Sequence, residues 1–520
     1  MDSVKSTART VGTVMALMIL SRLMSFLATA VYITFFGVNN PEINIYTYAI
    51  KFPNIVFNIL GTALTIVVIP IFAGYIGTGE KEKAYRFADN VLSLSSLVTL
   101  TFSILGIAAA PYIVLLTGFK TEGYGYAVMA LRIMMPVMFF YGLNYVLQGI
   151  LQSLGRFNMP ALVSIPSSLV VILYVFLLGG RFGVTGLLAA TFIGLSLQAI
   201  ILVPPLFKTR YRYRISLQFR DGDIKRALRL IPPILVGTSA YQLNMLFNIT
   251  VTSNFKNTVT IMGFVQDTIL YSVLAFIYAL TAVVFPRLTM FAAKGDMDGF
   301  KQSLNRTLKT VIFILVPAAA GFMAIRVQLI NLIVGWGKIR PEDVGLAGDI
   351  LALYAAGVIG IGIKEVVDRA FYSLNDTLKP ALNGIIIMVI NIGLTLMLVY
   401  ALGMGVFGIP LAYSVSALAG GAVITGMIRK KIGAFGGNAI FVLLLKTVAA
   451  SAVMLLAVLG VNALFAGCAI GGTLTDRVVK LFVPLSAGAA VYAALACILK
   501  VDTAIELLGR ARGRLGGVKL

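Results

Sequence analysis

Apolar stretches long enough to cross a bilayer recur from one end of this chain to the other, separated by short polar breaks, and no other feature constrains the fold as strongly. A helix of ~20 residues spans the hydrocarbon core. Lipid supplies no hydrogen-bond partners, so each run must satisfy its own backbone as helix. Of 520 residues 59% are hydrophobic and 12% charged, against roughly 25% charged in a soluble domain. A water-soluble fold is excluded. The runs place about fourteen spans, near 11–36, 46–74, 88–117, 123–150, 160–180, 183–206, 230–253, 257–286, 306–327, 346–371, 379–402, 405–428, 441–466 and 478–499.

The formal charge of +22 raises the question of a nucleic-acid partner, which the placement of the 42 Lys and Arg residues answers. With the N-terminus inside, 29 fall on the cytoplasmic side, 8 on the outer side and 5 within spans, namely Arg22, Lys51, Arg132, Lys364 and Lys446. This is the positive-inside pattern, and no nucleic acid is expected. The even count puts both termini in the cytoplasm. The richest loop, Lys208 to Arg229, interleaves Arg210, Arg212 and Arg214 with Tyr211 and Tyr213. It reads either as a topology determinant or as a site for anionic lipid head groups. The basic start and the run reaching Gly37 are too long for a signal peptide, so a retained first helix is expected. Two cysteines, Cys468 and Cys497, and no histidine argue against a disulfide framework, histidine catalysis and the common zinc sites.

Leu151-Gln-Ser-Leu-Gly-Arg-Phe-Asn-Met-Pro-Ala-Leu162 returns as Phe371-Tyr-Ser-Leu-Asn-Asp-Thr-Leu-Lys-Pro-Ala-Leu382. Gly183-Val-Thr-Gly186 pairs with Gly405-Val-Phe-Gly408, and the stretch Ala63 to Pro70 with Ala279 to Pro286, all at nearly the same spacing. Helices 1–6 and 7–12 therefore read as two copies of one unit, related by a pseudo-twofold axis along the membrane normal. The expected architecture is all-α and polytopic, with two six-helix lobes and two extra C-terminal helices. The divisions are an N-lobe at 1–207, a basic cytoplasmic loop at 208–229, a C-lobe at 230–430, helices 13–14 at 431–500 and a basic cytoplasmic tail at 501–520.

Polar groups at membrane depth are the candidate functional residues. Arg22 is expected near the bilayer centre, where a charge costs ~2.5–3.5 kcal/mol on insertion scales, so it should face a cavity or a buried partner. Lys51 precedes Phe52-Pro53-Asn54 and either lines the cavity or reaches to the outer interface. Asn54 and Asn58 share a helical face, as do Asn244 and Asn248; such pairs bind a substrate or bond between helices. Asp267 is a rare intramembrane carboxylate. Lys364, Glu365, Asp368 and Arg369 form a gate or interface cluster. No phosphate loop, carboxylate pair or nucleophile motif points to an enzyme.

Several stretches together resemble the MurJ (MviN) family, lipid II flippases of the multidrug/oligosaccharidyl-lipid/polysaccharide exporter superfamily. They are Ser21-Arg22, Pro53-Asn54, Ile69-Pro70, Gln242-Leu-Asn244, Phe285-Pro-Arg-Leu288 with Ala292-Ala-Lys-Gly-Asp296, and Arg369-Ala-Phe-Tyr-Ser-Leu-Asn-Asp-Thr377. The resemblance, from about residue 8 to 430, implies a central cavity lined by helices 1, 2, 7 and 8, with the extra pair forming a groove for a lipid tail. It implies a pyrophosphate held by Arg22, since a guanidinium binds phosphate oxygens bidentately, with Lys51 and Lys256 nearer the outer opening. Ala28-Thr29, Phe57-Asn58 and Asp267 replace charged positions of the family, Asp267 with a change of sign. The family's sodium site maps to Asn248, Asn391 and Thr395, where its carboxylates are missing.

The function so implied is export of lipid II across the bacterial cytoplasmic membrane by alternating access. No cofactor is expected, and the membrane potential or a monovalent cation would supply the energy. Expected partners are lipid II, membrane lipids and cell-wall synthesis or division proteins. The residues alone also leave open export of another undecaprenyl-linked saccharide, cation-coupled drug or solute efflux through Asp267, and a non-transporting cell-wall scaffold.

Overall fold

A computed structural model describes residues 2–121, 123–207, 211–218, 221–266, 271–466, 474–499 and 501, and the described residues contain no strand. The helices run α1 (Asp2–Phe36), α2 (Pro41–Gly77), α3 (Lys81–Leu115), α4 (Tyr124–Met134), α5 (Val137–Ser153), α6 (Asn158–Ala161), α7 (Ile165–Leu177), α8 (Gly179–Ile200), α9 (Pro204–Phe207) and α10 (Gly222–Thr252). They continue as α11 (Val259–Gly263), α12 (Tyr271–Ala293), α13 (Met297–Val334), α14 (Pro341–Ala355), α15 (Gly357–Ser373), α16 (Leu378–Leu396), α17 (Gly408–Ile432), α18 (Gly437–Ala466) and α19 (Leu474–Ile498). Among the described residues eleven segments are long and apolar enough to cross a membrane. The long helices α2, α10 and α12 fall in three further intervals where the sequence places spans.

Two spans read as single helices are broken. Pro136, which has no N–H to donate, separates α4 from α5. Ala356 separates α14 from α15, and the N–H of Gly357 there donates to Ser414 Oγ of α17 at 3.0 Å. Helix starts follow side-chain capping: Asn40 Oδ1 accepts from the Glu42 N–H at 2.9 Å, and Asp221 Oδ1 from those of Asp223 and Ile224.

The internal repeat is also a repeat of backbone geometry. After α5 the Arg156 N–H donates to Leu151 O at 2.8 Å across Gly155, whose φ is +72°; after α15 the Asp376 N–H donates to Phe371 O at 3.0 Å across Asn375, whose φ is +56°. Both are left-handed helix terminators, and Asn is the side chain that best replaces glycine in one. The second matched pair behaves the same way, with φ of +58° at Gly183 and +59° at Gly405. A spacing detected from letters thus marks duplicated local structure.

The chain divides into two compact units, Met1–Thr260 with Gly337–Ile339, and Ile261–Trp336 with Arg340–Leu520. In the first, Tyr46, Phe57, Leu131 and Met134 are fully buried, and Phe57 packs between Tyr141 at 5.8 Å and Tyr145 at 5.5 Å. In the second, α18 and α19 pack on α13. Tyr492 of α19 donates to Phe313 O at 2.8 Å, and Asn462 of α18 to Ala324 O at 3.2 Å. Lys446, a membrane-depth lysine, donates to Leu499 O at 2.8 Å. Lipid is as apolar as these side chains, so close packing and hydrogen bonds, rather than transfer from water, hold such helices together.

Candidate functional site

Arg22 lies on α1 inside the apolar run that begins at Val11 and ends at Phe36. The residues from Val14 to Leu20 before it and from Leu23 to Leu27 after it are almost all apolar, so the guanidinium stands within an apolar stretch on both sides. A serine seam orients the helix: Ser25 Oγ donates to Ser21 O and meets Ser168 Oγ of α7 at 3.3 Å, and Ser164 Oγ donates to Ser21 O. Arg22 projects beside this seam and is exposed, and among the described residues it joins no ion pair. Along its stripe, Arg22, Phe26, Thr29 and Ile33 pass from exposed through partly buried to buried, whereas Ile19, Leu23 and Leu27 around the helix stay exposed. Arg22 therefore borders a face that the protein progressively covers.

The asparagines separate into two kinds. On α2, half-buried Lys51 and buried Pro53 precede Asn54 and Asn58. Asn58 Nδ2 donates to Asn54 Oδ1 at 2.9 Å, and Tyr145 of α5 donates to Asn58 Oδ1 at 2.6 Å. These two amides tie α2 to α5. On α10, which packs against α2, Asn244 and Asn248 are each 5% exposed, yet among the described residues Asn244 Oδ1 and both amide atoms of Asn248 have no hydrogen-bond partner. Buried polar atoms are nearly always paired, so these await a water or a ligand. Asp267 lies outside the described residues.

One end of this unit, where α1 and α10 finish and α2 begins, is stitched. The Thr260 N–H donates to Asn44 Oδ1 at 3.0 Å, Thr260 Oγ1 to Ile43 O at 3.1 Å, and Asn257 Nδ2 to Asn39 Oδ1 at 3.0 Å. The Lys338 N–H donates to Thr34 O at 2.9 Å. Gly118 sits so close to the end of α10 that a Cβ would fall 2.0 Å from Ser253 O. Lys256 is exposed in this loop.

In the second unit the α15 cluster resolves into pairs one turn apart on the same helix. Lys364 Nζ contacts Asp368 Oδ2, and Arg369 Nη2 contacts Glu365 Oε1 at 2.7 Å. Arg369 also lies over Phe285 of α12 and over Tyr372, at 6.0 and 5.9 Å. Just beyond the helix, Lys431 of α17 contacts Asp376 and holds its carboxyl below the usual carboxylate range. On α16, Asn391 and Thr395 are fully buried, and Asn391 Oδ1 and Thr395 Oγ1 lack partners. Asn391 Nδ2 donates to Ser416 Oγ at 3.3 Å. These are neutral amide and hydroxyl oxygens, with no carboxylate to balance the charge of a cation. Among the described residues no group of three or more acidic, His or Cys side chains could hold a metal.

One buried network escapes a reading by charge. Gln148 donates to Asn144, Asn144 to Gln198 and Gln198 to Ser167, joining α5, α8 and α7. Its signal in the sequence is uncharged amides recurring inside apolar runs.

Long apolar helices, an arginine at membrane depth and buried amides without partners together define a polytopic membrane transporter. The family model described as lipid II flippase MurJ matches residues 32–479, and the chain belongs to that family. It is a multi-pass protein of the bacterial inner membrane. It is 25% identical over 420 residues to the probable lipid II flippase MurJ of Vibrio cholerae, covering 78% of this chain and 79% of that one. The corresponding protein of Treponema pallidum is 26% identical over 429 residues, covering 79% and 80%. Among solved structures, a lipid II flippase MurJ in an inward closed conformation superposes with a TM-score of 0.77 at 22% identity, over 94% of this chain and 99% of that one. An inward-facing multidrug resistance MATE family transporter gives 0.71 at 19% identity, over 80% and 96%. The all-helical fold is thereby shared.

Proposed function

We propose that this chain is a flippase that carries lipid II from the inner to the outer leaflet by alternating access, with both termini in the cytoplasm. The observation that carries the reading is the family match over residues 32–479, and Arg22 gives it a chemical focus. An exposed guanidinium at membrane depth, bordering a covered face, suits a pyrophosphate, whose oxygens it engages bidentately. Asn244 and Asn248 offer hydrogen bonds to the sugar-phosphate part of the same ligand, and Lys51 and Lys256 supply positive charge farther out. Outward movement of about two negative charges is favoured by an inside-negative potential at about 2.3 kcal/mol per charge per 100 mV, so the direction needs no ATP site. The chain moves its ligand without making or breaking bonds in it. Enzymes that polymerise the cell wall at the outer surface are its functional partners.

The test is rescue of a bacterium depleted of its own lipid II flippase, with outer-leaflet lipid II quantified alongside expression of this chain. Restored growth with surface lipid II is expected. Failure by well-expressed, membrane-inserted protein would overturn the substrate assignment.

A further inference from the structure

The segment between α9 and α10 is bound down along α3 by three buried polar side chains. Asp89 Oδ1 accepts the Tyr211 phenol hydrogen at 2.6 Å and the Arg214 N–H at 3.1 Å. Ser93 Oγ accepts the Ser216 N–H at 3.0 Å and meets the Tyr213 hydroxyl at 2.8 Å. Asn90 brackets Gln218, accepting its N–H at 2.9 Å and donating to its carbonyl at 3.0 Å. The backbone thus descends along α3 from Asp89 to Ser93 and returns to Asn90, so its lowest point is Ser216.

The depth of that point follows from α3 itself. Exposed apolar side chains on α3 begin at Leu97 and continue to Leu116 just past its end, a band of about 30 Å at 1.5 Å per residue, which matches the hydrocarbon core. Ser93 lies four residues before the band, about 6 Å outside it, within the head-group layer. The side chains flanking Ser216 are apolar and turned outward, Ile215 at 82% exposure and Leu217 at 48%. Arg212 and Arg214 are exposed just above them, while the Asp89 oxygen nearby is engaged by Tyr211 and by the backbone of Arg214.

From this geometry we propose that Tyr211–Gln218 is a membrane-docking strap: Ile215 and Leu217 enter the leaflet, and Arg212 and Arg214 bind the phosphates of anionic phospholipids. Aliphatic tips below and guanidiniums above are the arrangement that binds an anionic interface. Tight anchoring to α3 orders the strap beforehand, so little conformational freedom is lost when lipid binds. The pattern of alternating Arg and Tyr in the sequence becomes an oriented lipid contact only because Asp89, Asn90 and Ser93 fix its register.

The experiment places a reporter at the lowest exposed side chain. Ile215→Trp is made in the full chain carrying Trp336→Phe, which removes its single other tryptophan, and is reconstituted in phosphatidylcholine bilayers with a minor fraction of phosphatidylglycerol. Either lipid is brominated in turn. Quenching by brominated phosphatidylglycerol is expected to exceed its share of the bilayer by roughly fivefold or more. Adding Arg212→Gln and Arg214→Gln should bring quenching back to that share, with elution and thermal unfolding unchanged. A tryptophan at 215 that neither lipid quenches would place the strap outside the bilayer and overturn the proposal. Quenching in simple proportion to composition, indifferent to the two arginines, would overturn it as an anionic-lipid site.

Discussion

Tyr145 of α5 donates a 2.6 Å hydrogen bond to Oδ1 of Asn58 on α2, and Asn58 in turn donates to Asn54. On α10, Asn248 is more deeply buried, and among the described residues neither of its amide atoms is paired. Opposite outcomes are expected when each is made apolar. Asn58→Leu leaves the Tyr145 hydroxyl without this acceptor and should lower stability by about 1 kcal/mol. Asn248→Leu removes atoms that already lack partners, so thermal unfolding should hold or rise while flux falls. Wild-type flux in a stable Asn248→Leu protein would remove that amide from the substrate path.

Arg22 is expected to act through the shape of its guanidinium as well as its charge. Arg22→Lys keeps the charge and loses the fork, which should cost about tenfold in transport rate, or ~1.4 kcal/mol. Arg22→Ala should cost about a hundredfold or more. Both should insert and purify as wild type, because Arg22 makes no ion pair among the described residues that its loss could break. Equal flux in the Lys and wild-type proteins would show that charge alone suffices.

Asp376 joins an ion pair with Lys431 and accepts the Lys379 N–H at 3.2 Å at the start of α16. Its folded carboxyl titrates below the usual range, chiefly through the hydrogen bond from the Lys431 ammonium. The stabilisation is therefore complete above the unfolded value near pH ~3.9 and is lost as pH falls through the lower folded one. Asp376→Asn keeps an acceptor for Lys379 and removes the charge, so at neutral pH it should unfold at a cost of roughly 0.2–1 kcal/mol. That gap should close as thermal scans move into the acid range.

Burial pushes the Tyr211 phenol well above its ordinary value, and the bond to Asp89 adds to this. The strap should stay anchored below the unfolded phenol value near pH ~10 and come free as pH rises towards the higher folded one. Asp89→Ala should release it at neutral pH. Trypsin cleavage at Arg212 and Arg214 in inside-out vesicles reports this directly, and resistance in the variant would mean the strap is held by other contacts.

Neutral Asn391 and Thr395 predict indifference to sodium. Replacing choline by sodium should leave the unfolding temperature unchanged, since a bound ion stabilises by RT ln(1 + [L]/Kd). Thr395→Asp supplies the missing charge and should create sodium-dependent stabilisation. A sodium-dependent rise in the wild-type protein would show that other groups complete a cation site.

The all-helical membrane fold and the repeated turns were legible because apolar runs and repeated letters are properties of the chain itself. The Gly155 and Asn375 terminators show how far this reaches, since a 220-residue spacing carried the same turn. The partners of the asparagines could not be read at all. Asn58 and Asn248 are the same residue type, each four residues after another asparagine on its helix, and the sequence does not show which side chains lie across from them. Asp89, Asn90 and Ser93 fall inside the span expected at 88–117 and carry no signal of their own in the sequence, because their role depends on a segment more than a hundred residues away.

The anchored strap bears on how α10 can move. Only Phe219 and Arg220 separate Gln218, held by Asn90, from Asp221, which caps α10, a reach of at most about 10 Å. Tyr75 of α2 donates a further bond to Asp223 in the first turn. The start of α10 is thus a fulcrum, and its 31 residues make a lever about 46 Å long. A swing of about 10° around that fulcrum carries the far end about 8 Å, enough to part Thr260 from Asn44 while barely disturbing the strap.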